Sequence, residues 1–168
     1  MRRGLLLLST VALAVALAPL AVANNGNKPD RHVNLDQGDQ TIVGLCDFPV
    51  FVHVDGREIT TAFSVQDRTV MQLLGVFPGN RWTLTNLDTG TSITVSNTSS
   101  FHQRNQPDGT FSVKVVGEGV WLGNPLTGEP GFWYQKGQVS GTFAADGSPI
   151  STKNTGNPLV NLCPQLAS

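Results

Sequence analysis

From Thr41 onward apolar and polar residues alternate with a period of two, and turn residues interrupt the alternation at short intervals. Such a period sends successive side chains to opposite faces of a strand, so one face is built to be buried. Val50-Phe51-Val52-His53-Val54 is β-branched and aromatic and closes on Asp55-Gly56. Arg57 to Val65 then reads as the return strand of a hairpin turning at Asp55-Gly56. Val70 to Phe77 ends at Pro78-Gly79-Asn80, and Arg81 to Leu87 leads into Asp88-Thr89-Gly90. Ser92 to Ser96 alternates cleanly. After Pro107-Asp108-Gly109, the residues Phe111, Val113 and Val115 share a face while Ser112 and Lys114 look outward. Val120-Trp121-Leu122, Phe132 to Lys136 and Gln138 to Phe143 are further strands. Asp146-Gly147 is the next turn, and Leu159 to Leu162 closes the series.

One segment competes for helix. Val70, Leu73, Leu74 and Phe77 fall at i, i+3, i+4 and i+7, but the run is short, contains Gly75 and stops at Pro78. Strand is the preferred reading. About eight short strands with turns between them predict an all-β antiparallel fold. Short links favour an up-and-down meander closed as a barrel, and a β-sandwich is the alternative.

Composition adds a destination. Met1-Arg2-Arg3, the apolar run Gly4 to Ala18, Pro19 and Ala21-Val22-Ala23 have the three parts of a secretory signal peptide, cleaved after Ala23. The run is short for a membrane anchor, and no later stretch is apolar enough to span. The expected organisation is a signal peptide at 1–23, a flexible polar leader at 24–40 and a single β-rich domain at 41–168. The product is expected to be secreted and extracellular. Cleavage leaves about 145 residues, which bury roughly two-thirds of their unfolded surface. The whole chain carries 11 Lys+Arg and 12 Asp+Glu, and Arg2 and Arg3 leave with the signal, giving a net charge of about −3. That balance argues against a nucleic-acid partner.

Cys46 and Cys163 are the only cysteines. In an exported chain an even count favours a disulfide. The pair stands 117 residues apart, joining the start of the folded region to its last turn. No Cys-x-x-Cys occurs, so a redox role has no motif.

Candidate chemistry is sparse. The histidines are His32, His53 and His102, and no His-Glu-x-x-His is present. His53 and Asp55 share a strand face and could hold a metal with His102, but Asp55 reads better as a turn residue, and no metal or cofactor is expected. There is no Gly-x-Ser-x-Gly elbow and no P-loop. Asp47, Asp55, Asp67, Asp88, Asp108 and Asp146 sit in turns, where Asp caps its own backbone. Glu58, Glu118 and Glu129 form no evident catalytic pair. Asn97-Thr98-Ser99 has the form of a glycosylation sequon.

Thr83-Leu84-Thr85-Asn86-Leu87-Asp88-Thr89-Gly90-Thr91-Ser92 resembles a T-x-T-N-L-x-T-G-K-S hairpin found in small exported proteins of unknown function from high-GC Gram-positive bacteria. Val139-Ser140-Gly141-Thr142-Phe143, Asp146-Gly147 and Leu162-Cys163-Pro164-Gln165-Leu166 are similar to the ending of that family. The resemblance covers residues 45–166. Thr91 stands where the pattern has Lys. It implies a β-rich exported domain and assigns no activity.

Aromatic residues remain. Trp121, Trp133 and Tyr134 flank a Pro/Gly-rich loop, and Trp82 lies earlier in the chain. Core packing would explain them; a ligand wall at the barrel mouth would also use them. The first expectation is a non-enzymatic exported barrel that binds a small apolar or amphipathic ligand or a protein partner, with these four residues as its walls. One alternative is a barrel-cavity enzyme of the isomerase or cyclase type, using His53, His102 or Glu118 as acid or base. It requires at least two of these to converge in one cavity. The other is a secreted inhibitor presenting loop 123–131.

Overall fold

The computed structural model describes residues 30–34, 38–64 and 71–168, with side chains at 38–63 and from 72 onward. The signal peptide expected at 1–23 lies outside the described residues. The fold is all-β and antiparallel. The strands are β1 (Asp30–Asn34), β2 (Asp39–Ile42), β3 (Val50–Asp55), β4 (Glu58–Ser64), β5 (Met71–Val76) and β6 (Arg81–Asn86). They continue with β7 (Ser92–Ser96), β8 (Ser99–Asn105), β9 (Phe111–Leu122), β10 (Phe132–Phe143), β11 (Pro149–Asn154) and β12 (Val160–Asn161). A single turn of helix, α1 (Cys163–Leu166), follows.

The strands form two sheets. The small one runs β2-β3-β6-β7, and the large one runs β1-β4-β5-β8-β9-β10-β11, with β12 also paired to β10. Among the described residues no strand pairing joins β1 to β11. Asp55-Gly56, expected as a hairpin turn, instead carries the chain from the small sheet to the large one. Gly56 has φ +121°, and a Cβ there would lie 2.6 Å from the Asn80 Cα. Asn80 and Asn97 stand at the next two crossings. The Asn97 amide N–H donates to the Asn80 carbonyl at 2.9 Å and its side-chain Nδ2 to Asn80 Oδ1 at 2.9 Å. The Val120 N–H donates to Asn97 Oδ1 at 3.0 Å. Two crossings are thereby hydrogen-bonded together at one seam, and the Gly56 crossing packs closely against it.

The segment expected as a flexible leader already contains structure. Asp30–Asn34 pairs with β4, and β2 opens at Asp39. Neither has an alternating apolar face; the expectation followed side-chain pattern, whereas β1 is joined through its backbone. Within the 70–77 run, Met71–Val76 forms strand β5. Its Gly75 lies opposite Phe101, and a Cβ would meet the ring at 1.9 Å, so the ring covers the bare backbone.

The segments expected as separate strands on either side of 116–119 and of Gly137 are two long strands with a corner. Gly117 pairs with Gly137, at φ +117° and +125°. The Trp121 ring lies 6.5 Å from that of Phe143. Phe143 pairs with Phe111, ten positions before Trp121, and a straight strand would separate them by about 34 Å. The β9–β10 hairpin is therefore folded over at its glycine pair, and the large sheet curls on itself. Inside the curl lie Val139, fully buried, and Phe143, Val115 and Ala62, nearly so.

The principal core sits against the small sheet. Val50, Val52, Val54 and Leu84 project from its inner face onto Phe132, Leu162 and Leu166. Leu166 reaches this core because Cys163 is bonded to Cys46, with Cα atoms 5.6 Å apart. The buried Asn86 side chain donates to the Leu166 carbonyl at 3.0 Å and accepts from the Asp88 N–H at 2.9 Å. One residue thus holds both the β6–β7 turn and the C-terminal helix.

Candidate functional site

The four aromatic candidates do not gather in one place. Trp82 and Tyr134 pack against the principal core. Trp121 stacks on Phe143 and donates from Nε1 to Gln135 Oε1 at 2.6 Å. Gln135 is 1 % exposed, so this polar contact is internal. Trp133 is paired with Trp121 across β9–β10, and its buried Nε1 has no partner.

The proposed acid–base residues stand apart. His53 lies on the outer face of the small sheet, with Nδ1 2.6 Å from Asp39 Oδ1. Beside it run two hydroxyl contacts, Thr83 to Thr94 at 2.9 Å and Thr85 to Ser92 at 2.7 Å. Glu118 pairs with Lys136 Nζ at 2.8 Å. That hydrogen bond, helped by Ser96, holds its carboxyl below the usual range. Burial pushes the neighbouring Tyr134 hydroxyl up, with the Glu118 charge adding to it. His102 lies elsewhere, on the outer face of the large sheet. No group of His, Cys, Asp and Glu among the described residues is arranged to hold a metal.

Around His102 the geometry becomes informative. A groove of about 720 Å³ crosses the outer face of the large sheet, from Phe63 on β4 to Lys153 on β11. Strand register builds it in two rows. Leu74, His102, Lys114, Ser140 and Lys153 stand side by side across β5, β8, β9, β10 and β11. Two residues along lie Gln72, Arg104, Ser112, Thr142 and Ser151, with Phe63 at the end. The inner face of the same strands carries Phe101, Val115, Val139 and Phe143, which keeps the lining rigid.

The groove holds Arg104, Lys114 and Lys153 together with His102, and no acidic residue lines it. Among the described residues none of the three cations has an ion-pair partner; the pairs present are His53–Asp39 and Lys136–Glu118. His102 and Lys114 are directly opposite each other across β8 and β9. Arg104, Lys114 and Lys153 share this face with no carboxylate among the lining residues, so an anion in the groove would find their charges unneutralised.

The pattern search passed over this site for a physical reason. Strands β8 (Ser-Ser-Phe-His-Gln-Arg-Asn) and β11 (Pro-Ile-Ser-Thr-Lys-Asn) carry too few apolar residues to register as half-buried. Their outer faces serve the groove, and Phe101, on the inner face of β8, is half-buried. The available signal was His102 and Arg104 at i and i+2, in the same outward phase as Lys114. A scan against protein-family models and searches of curated proteins and of solved structures return no match for the chain.

Proposed function

We propose that this is a secreted, non-enzymatic binding protein that holds an anionic ligand in the groove across its large sheet. The observation that carries this reading is the set of Arg104, Lys114 and Lys153, with His102 beside them, in a groove lined by no acidic residue. In a chain of slightly negative net charge, that local excess is a concentration of positive potential. Phe63 and Leu74 give one end an apolar surface, so the ligand pairs acidic groups with an apolar or ring-like part. The enzyme alternative needed two of His53, His102 and Glu118 in one cavity; His102 alone is in the groove. The disulfide and the lack of a long apolar helix among the described residues agree with export. Kinship with the small exported proteins of high-GC Gram-positive bacteria whose hairpin it resembles belongs to the same proposal.

The test is a titration of isotope-labelled protein with citrate and with inorganic phosphate, followed by amide NMR. Saturable shifts confined to residues around 102–104, 112–114, 140–142 and 151–153 are expected. Absence of saturable shifts there with every anion overturns the reading.

The inhibitor reading keeps one supporting observation. Loop 123–131 is internally braced: the Gly123 N–H donates to the Gly131 carbonyl at 2.8 Å and the Asn124 N–H to the Glu129 carbonyl at 2.7 Å. Its tip, Thr127 to Pro130, is exposed. A panel of extracellular proteases tests it, with stoichiometric inhibition as the positive result.

A further inference from the structure

We infer that the occupant of the groove is a chain rather than a small anion: an acidic polysaccharide lying across the strands. This rests on the anion-binding reading above and deepens it. Length is the first argument. The groove crosses six adjacent strands, β4-β5-β8-β9-β10-β11. At ~4.8 Å between neighbours, that is about 24 Å, too long for one compact anion to engage.

The second argument is the spacing of charge. Lys114 is one strand from His102, and Lys153 is two strands further. Arg104 is about 7 Å along β8 from His102. The positive charges of Arg104, Lys114 and Lys153, set at intervals along this track, match negative charges set at intervals along a polymer. A single carboxylate or phosphate would meet one or two of them and leave the others unpaired.

The third argument is what lies between the cations. Ser140 separates Lys114 from Lys153, and Ser112, Thr142 and Ser151 form the parallel row. Hydroxyls that donate and accept are suited to sugar hydroxyls. Phe63 supplies one apolar plate for a sugar ring face. A nucleic acid strand would call for a succession of stacking rings and for denser positive charge, and the groove has neither. The sparse cations fit a polymer with about one carboxylate per sugar unit.

The secreted full-length domain is titrated with galacturonate, from the monomer through oligomers to the hexamer, by calorimetry. Neutral dextran and a single-stranded oligodeoxythymidine are run in parallel. Affinity is expected to climb with oligomer length and then level off once the chain spans the groove. It is expected to fall steeply with added salt. K114Q and K153Q, both at exposed positions away from either core, are each expected to weaken the hexamer by roughly tenfold. Unchanged circular dichroism and thermal midpoint show that these variants remain folded. Equal binding of monomer and hexamer overturns the polymer inference and leaves the anion-binding reading standing. Tighter binding of the oligodeoxythymidine does the same, whereas tighter binding of neutral dextran overturns both. Failure of every anion, citrate and phosphate included, overturns both.

Discussion

At the residue scale, asparagine does the joining in this protein. Asn80, Asn86 and Asn97 are almost fully buried. An asparagine carries a donor and an acceptor on one short arm, which suits a seam where backbone groups leave one sheet and have not entered the next. Asn97 supplies the acceptor for Val120 N–H and the donor for Asn80 Oδ1. N97A strands both partners in a dry interior, so unfolding free energy is expected to drop by on the order of 3 kcal/mol. Urea denaturation reads this directly, and a loss below about 0.5 kcal/mol would show that the seam is not held there. The same position forms the sequon noted in the sequence, where the amide nitrogen is already committed to Asn80.

Aspartate acts at the turns instead. Asp108 accepts from the side chain and backbone of Thr110 at 2.7 and 2.9 Å, and Asp146 from those of Ser148 at 2.6 and 2.9 Å. These hydrogen bonds hold both carboxyls below their ordinary value of 3.8. A carboxyl lowered in the folded state adds stability above its unfolded pKa and loses it as pH falls through its folded one. The advantage of the parent over a D108N/D146N variant is therefore full near neutrality and shrinks in acid. Urea midpoints at about pH 6 and about pH 2 are expected to differ between the two proteins at the higher pH and to converge at the lower. A gap that is constant across the range would mean the turns owe nothing to ionised carboxyls.

At the scale of the element, the β9–β10 hairpin defines the large sheet. Its corner depends on two glycines facing each other. At Gly137 both backbone and space forbid a side chain: φ is +125°, and a Cβ would fall 2.4 Å from the Gly156 Cα. Gly147, in the turn between β10 and β11, also has positive φ, +84°, but has open space around it. The two positions separate strain from collision. G147A is expected to cost about 1–2 kcal/mol, the left-handed penalty alone. G137A is expected to cost well beyond that, in the range of about 4 kcal/mol or more that marks a disrupted core. Thermal melts of the two variants side by side provide the measurement. Equal losses would show that the corner yields.

The same hairpin explains what the sequence made legible. Alternation located β3, β6, β7 and the inward residues of β9, because burial on one face writes itself as a period of two. It split β9 and β10 into pieces, because Gly117 and Gly137 look like turns when their pairing with each other is unknown. Asp55-Gly56 looked like a hairpin for a related reason: local turn chemistry does not record which sheet the next strand joins. The groove was the least legible part. Its strands spend their outer faces on Ser, Thr, Lys and Arg, which reads as loop until strand pairing places them in rows.

For the whole molecule, the decisive tie is between the ends of the domain. The chain passes repeatedly from one sheet to the other, and its last ordered turn returns to the small sheet beside Cys46. Leu162 and Leu166 enter the principal core from that turn, 2 % and 0 % exposed. Without the bridge, four residues of helix have little of their own to hold them, since so short a helix lies far below independent stability. The disulfide closes a loop of 117 residues, a constraint on the unfolded chain worth at most about 4–5 kcal/mol. Against the usual total of about 5–15 kcal/mol for a domain, that share is large. Paired replacement, C46S with C163S, is expected to lower the unfolding free energy by about 3–5 kcal/mol while retaining the β-sheet signal in circular dichroism. Hydrogen exchange adds the spatial reading: amides of α1 and of the β6–β7 turn, linked through Asn86, should lose protection first, ahead of those in β9 and β10. If protection falls evenly across both sheets, the bridge acts through the unfolded chain alone and the C-terminal turn is held by its apolar contacts.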